Sequence, residues 1–187
     1  MNSESRKVAN SISRKFWNDE RGNLDLLREL TKQSFVHNNK QIVFFIIDFV
    51  EDKDFILEMA PKSYKYSSSQ DIVSFLSEYD GNYYILASES TLFNMSNLNF
   101  GVACELGHIF LNHISDKKKW LGNDTNFDKL KIQADEFAKE LLVPMDKMSE
   151  IMNSYNGMTM NEAAKMFGVP LNIVKAQIDR NIKNKGL

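Results

Sequence analysis

Apolar residues recur along this chain with two different periods, and the change of period divides it. Between residues 24 and 36, "LDLLRELTKQSFV" places Leu24, Leu27, Leu30 and Phe35 at helical spacing. "QIVFFIIDFV" is short and rich in β-branched and aromatic side chains, which predicts a buried strand. "DFILEMA" is expected to continue a sheet, ending at Pro61. "SSSQDIVSFLSEY" offers a serine cap followed by Ile72, Phe75, Leu76 and Tyr79 on one helical face, so a helix is predicted there. "DGNYYILAS" opens with an Asp-Gly turn signal and continues as a strand. After that the pattern is helical almost throughout.

The spacing predicts a helix from about Asn99 to Ile114, then the polar connection "SDKKKWLGNDTN". A second helix over "FDKLKIQADEFAKELLVP" ends at Pro144, with Phe137, Leu141 and Leu142 continuing the apolar face begun by Leu130 and Ala134. The last forty residues carry two or three more helices. Thr159 and Glu162 form a capping box there, and Gly168 closes that helix. The order of elements gives an α+β fold, a small mixed sheet early in the chain packed on a mainly helical domain with a helical C-terminal segment. One domain over 1–187 is expected, with 1–22 a candidate flexible end and 157–187 an extension resembling a helix-turn-helix.

Charge and composition narrow the function classes. With 23 Lys and Arg against 25 Asp and Glu, no global basic field points to nucleic acid. The single cysteine excludes an internal disulfide and suits a reducing compartment. "MNSESRKVANSISRKFWNDERG" lacks the apolar core of a signal peptide. The longest apolar run, Ile42 to Ile47, is far short of the roughly 20 residues that span a bilayer. A soluble cytoplasmic protein, with no membrane partner, is the expectation.

The chemistry concentrates in "ACELGHIFLNH", residues Ala103 to His113. On a helix, Cys104 and His108 lie one turn apart on the same side, and Glu105 is turned by about 100° beside them. Helical metallopeptidase sites use this arrangement: two ligands grip a zinc ion, and the glutamate takes a proton from metal-bound water. Five residues alone are a weak signal, because a buried cysteine and a helical histidine also occur as plain core. On a helix reaching residue 114, His113 points away from Cys104, whereas Asn112 lies nearer His108.

A longer stretch sharpens this. "GNYYILASESTLFNMSNLNFGVACELGHIFLNH" followed by "QADEFAKELLVP" resembles the ImmA/IrrE family of bacterial metallopeptidases, as does the tail "MTMNEAAKMFGVPLNIVKAQI". The resemblance implies a zincin-like zinc endopeptidase fold whose members often cleave a helix-turn-helix repressor in a phage, a mobile element or a stress response. Carried over position by position, it implies Glu105 as the general base and Cys104, His108 and Gln133 at the metal positions, where the family has His, His and Glu. A thiolate is a strong zinc ligand, but a neutral amide oxygen is a poor one. Glu136 and Glu140 lie on the same helical side as Gln133, and Glu136 is the reserve carboxylate; Asp135 faces away. Zinc bound weakly or not at all, and impaired catalysis, are therefore the expectation. The partner implied is a repressor or another regulatory protein.

Other features read as structure. Lys175, Arg180, Lys183 and Lys185 are spread along the last helix, whereas DNA readers concentrate basic and amide residues at the helix start, so direct nucleic-acid binding is not expected. Met145, Met148, Met152, Met158, Met160 and Met166 form a stripe better suited to packing than to binding, and His37 has no partner legible in the sequence. Two function classes follow. One is a divergent zinc endopeptidase acting on a repressor; the other is a binding module that keeps the groove without cutting.

Overall fold

Two tight reversals organise the sheet, and in each both central residues have positive φ. Asn38 and Asn39 (φ 52° and 61°) turn β3 into β4, while Asp80 and Gly81 (φ 44° and 74°) turn β5 into β6. β3 is Val36–His37, β4 Lys40–Ile47, β5 Ser74–Tyr79 and β6 Asn82–Ser88. Asparagine, aspartate and glycine tolerate the left-handed region, and two such residues in a row match the twist of an antiparallel pair. The structure is a computed structural model, and it describes residues 3–18, 21, 23–32, 35–48, 51, 74–113, 125–154 and 157–184.

The strand order is β3-β4-β6-β5. β4 and β6 pair in parallel from Ile42↔Tyr83 to Ile47↔Ser88, and β5 pairs antiparallel with β6. The sheet is therefore mixed. A second, two-stranded pair joins β1 (Trp17–Asn18) to β2 (Asn23–Leu24). Tyr83, Ile85 and Ala87 alternate into the core that the helices complete.

Residues 74–79 correct the expectation of a helix over "SSSQDIVSFLSEY". Phe75 and Leu76 lie opposite Leu86 and Ile85 across the hairpin. Their spacing suits a helical face, but the Asp80–Gly81 reversal brings them beside β6, and cross-strand pairing prevails. The serines, Ile72 and "DFILEMA" lie outside the described residues.

The helices are α1 (Ser3–Phe16), α2 (Leu26–Thr31), α3 (Met95–Phe110), α4 (Thr125–Leu142), α5 (Met145–Ser154), α6 (Met160–Phe167) and α7 (Leu171–Asn184). α2 is shorter than the periodicity predicts: Leu24 falls in β2, and Phe35 is buried beyond the helix end. A 3₁₀ turn, Glu89–Asn94, leads from β6 into α3, and the Asn94 side chain accepts from the Asn97 N–H. That cap starts the motif helix four residues before Asn99, and the helix stops at Phe110 rather than Ile114.

α4 supplies the densest part of the core, with Phe137, Ala138, Leu141 and Leu142 fully buried and Leu130 half-buried. The last helices are packed, not appended. Ala163, Ala164, Phe167, Val169, Ile173 and Val174 are buried, and Gln177 donates to the Val143 carbonyl at 2.8 Å. α6 carries the capping box of Thr159 and Glu162 and ends at Gly168 with φ 64°. Of the methionines, Met148 is buried, Met145, Met158 and Met166 pack against the core, and Met160 is exposed. The side chain of Met152 lies outside the described set.

Candidate functional site

Gly107 lets the two site helices meet. A Cβ placed on it would lie 3.0 Å from both the Cα and the carbonyl oxygen of Ala134. Backbone at that distance cannot yield as a flexible side chain can, so glycine is the residue that allows α3 to press on α4. Leu106, Val102 and Ala103 nearby on α3 are fully buried, and Phe110 stacks on Phe137 with ring centres 6.1 Å apart. Cys104, Glu105 and His108 are thus carried on one helix, and Gln133 is on its neighbour.

The end of α3 places the next residue. Asn112 has φ 55°, a left-handed conformation that stops the helix two residues after Phe110. Its side-chain oxygen sits 3.0 Å from His37 Nε2 and accepts from Asn38 Nδ2 at 2.9 Å. The partners come from the end of β3 and the turn after it, so the sheet holds the helix end in place. His37, for which the sequence offered no partner, also packs edge-on against Phe110 at 4.9 Å.

That reversal sends His113 back toward α3. A helix running to residue 114 would turn His113 away from the site, but the helix ends earlier and the wheel no longer applies. His113 Nδ1 lies 3.0 Å from His108 Nδ1, with the rings T-shaped at 5.1 Å. The Gln133 side chain, on the facing helix, works against the lowering of His113 by burial. His108 and His113, from α3 and the turn just past its end, therefore form one polar pair.

Electrostatics keep this group uncharged. Burial, the neighbouring His113 and Lys131 push His108 down to about 3. Burial also lowers His113, partly offset by Gln133. The Cys104 thiol is pushed far up, first by burial and then by the carboxylates of Asp135 and Glu105; Lys139 and Lys131 offset only part of this. Asp135 faces away from the Gln133 side on the helix, yet its charge falls on Cys104.

The carboxylates nearest in sequence to Gln133 are committed elsewhere. Glu136, the reserve ligand, pairs with Lys139 at 3.1 Å and with Arg180 at 3.2 Å. Glu140 is buried, 3.6 Å from Arg6 and 3.5 Å from Arg180. Asp135 pairs with Lys139 at 2.5 Å. Among the described residues, no three His, Cys, Asp or Glu side chains are grouped so as to hold a metal ion.

A family model described as the IrrE N-terminal-like domain, Peptidase_M78, matches residues 83–179, from β6 through most of α7. The chain belongs to that family. No curated protein and no solved structure matches it. The zinc that the ImmA/IrrE resemblance implies can be tested against the donors present. Zinc takes thiolate, imidazole or carboxylate. Position by position, His108 offers an imidazole, Cys104 a thiol, and Gln133 only a neutral amide. That set does not fit a three-ligand zinc centre.

The sequence pattern turned His113 away from the site, where the structure brings it beside His108, and gave no sign of the clamp on Asn112. One signal was present: asparagine just past a run of apolar helical residues is a common left-handed terminator. No helix among the described residues is long and apolar enough to cross a membrane.

Proposed function

We propose that this ImmA/IrrE-like protein has impaired or absent zinc-peptidase catalysis and acts by recognising a protein partner. The partner is a repressor or another regulator, and the setting is the cytoplasm, in the control of a phage, a mobile element or a stress response. The observation that carries the reading is Gln133. It stands where the family has a glutamate ligand, on the helix that packs against the one carrying Cys104 and His108. A neutral amide adds no charge to hold zinc, and the buried thiol one helix away must give up its proton before it can serve as a ligand.

The test is elemental analysis of protein purified without added metal, paired with a Glu105→Gln variant assayed for release of the regulated promoter in cells. Zinc well below one ion per chain, and promoter control equal in wild type and variant, is the expected result. One tightly held zinc per chain together with loss of control in Glu105→Gln would overturn it. That outcome would establish the other class, a divergent zinc endopeptidase cleaving a helix-turn-helix repressor. Such an enzyme would draw on Glu105 and His108, which share α3 at the family's spacing.

A further inference from the structure

The first and last described helices are docked in opposite ways. α7 buries Ile173, Val174 and Gln177, and the polar group among them is served: Gln177 donates to the carbonyls of Lys139 at 3.3 Å and Val143 at 2.8 Å. α1 lies against α4 and, over residues 5–16, buries only Ser5, Ala9 and Ser13, with Val8, Ile12 and Phe16 half-buried. Three polar atoms of α1 are enclosed without a hydrogen-bond partner, Arg6 Nε, Asn10 Oδ1 and Ser13 Oγ. Residues 6, 10 and 13 share one face of the helix. Arg6 Nε lies 3.6 Å from Glu140 Oε2, near enough for charge attraction but too far for a hydrogen bond. The second link, Arg14 to Asp146 on α5 at 3.1 Å, is exposed, and such pairs hold weakly in water.

Each enclosed polar atom gives up water when α1 docks and gains no partner in return. Side chains as small as Ser5, Ala9 and Ser13 add little apolar burial against that cost. The aromatic contact of α1 is confined to its last residue, Phe16, whose ring centre lies 4.6 Å from that of buried Phe35. We propose that α1 is a releasable strap: it undocks from α4 and α5 as one unit, pivoting at Phe16, while the sheet and helices α3 to α7 stay folded. Undocking hydrates Asn10 and Ser13 and opens the Arg6–Glu140 contact. Glu140 keeps Arg180, 3.5 Å away on α7, so the carboxylate is not left without a cation. Access to this end of α4 is then conditional on α1, a local opening that costs less than unfolding the domain. The strap belongs neither to the candidate metal site nor to the matched segment, residues 83–179, so it goes beyond the reading given above.

The experiment is native-state hydrogen exchange on the full chain, with Ser13→Ala and Ser11→Ala beside wild type. In wild type the protected amides of α1 should exchange through an opening at least about tenfold more populated than the one that releases α4 and α7. Ser13→Ala removes an enclosed, unpartnered hydroxyl and should make the α1 opening rarer while leaving the fold intact. Ser11 is exposed, so Ser11→Ala brings the same gain in helix propensity without that removal. Ser13→Ala should therefore suppress the opening several-fold more than Ser11→Ala does. Amides of α1 that exchange only together with those of α4 and α7 would overturn the proposal. So would equal effects of the two substitutions, because the enclosed hydroxyl would then not be what loosens α1. Zinc content and promoter control are read separately, so failure here leaves the functional reading standing, and the reverse also holds.

Discussion

Gly107 and Ala134 meet backbone to backbone, closely enough that one added methyl on Gly107 would touch both the Cα and the carbonyl oxygen of Ala134 at 3.0 Å. Gly107→Ala should force the helices apart or strain them, at about 1–3 kcal/mol, the usual cost of overfilling a packed interface. Chemical denaturation measures it. A variant as stable as wild type would show that α3 and α4 stand farther apart than described.

Phe137 has no exposed surface and stacks on Phe110 from the facing helix. Phe137→Ala should cost about 3–5 kcal/mol, by lost burial and the cavity left behind. An unchanged melting temperature would mean that the apolar face of α4 has been assigned wrongly.

Asn112 separates two effects that one substitution would mix. Asn112→Gly keeps the left-handed backbone and loses the side-chain contacts, those with His37 and Asn38 among them, so about 1 kcal/mol is expected. Asn112→Ala loses the same contacts and adds the left-handed penalty of roughly 1–2 kcal/mol. The alanine variant should therefore melt at the lower temperature; the opposite order would refute the assigned conformation.

Restoring the family's donors tests the site directly. Cys104→His with Gln133→Glu adds an imidazole and a carboxylate around His108, and zinc should then raise the melting temperature through binding linkage. At a hundredfold excess over the dissociation constant, the gain is about 2.7 kcal/mol. Either single change should recover only part of it. A double variant that zinc does not stabilise would show that the pocket cannot be made zinc-shaped by its ligands alone.

The cap of α6 carries a pH dependence. Glu162 accepts from the Thr159 backbone N–H and hydroxyl, both at 2.8 Å, and these bonds hold its carboxyl below the ordinary 4.5. A group lowered on folding contributes stability that is fully present above its unfolded value. That stability is lost as pH falls through the folded value, so the window lies from about 4.5 downward. Glu162→Gln should flatten this part of the curve of melting temperature against pH. A variant curve parallel to wild type below pH 4.5 would exclude the contribution.

How far the chain could be read from its residues varied with the kind of signal. The capping box, Gly168 and the Asp80–Gly81 turn are chemical instructions that act over four residues or fewer, and they were legible. So was the apolar face of α4, because a long helix repeats its pattern often enough to be unambiguous. Phe75, Leu76 and Tyr79 misled because six residues satisfy either period, and only the partner strand decides between them. His113 was misplaced for a related reason: its direction depends on where α3 stops. Asn112 sets that stop with help from His37 and Asn38, some 75 residues earlier in the chain. The replaced ligands Cys104 and Gln133 were visible as letters, but the contact of His113 with His108 was not.

Glu140 is buried between Arg6 of the first described helix and Arg180 of the last. Remote ends of the described chain are thus fastened to one carboxylate, and neither can be trimmed without consequence. The matched family segment, residues 83–179, excludes Arg6 and stops one residue before Arg180. Cut out alone, it would keep the buried carboxylate and lose both cations, a strongly destabilising arrangement. The unit that folds is therefore longer at both ends than the unit that ancestry marks out.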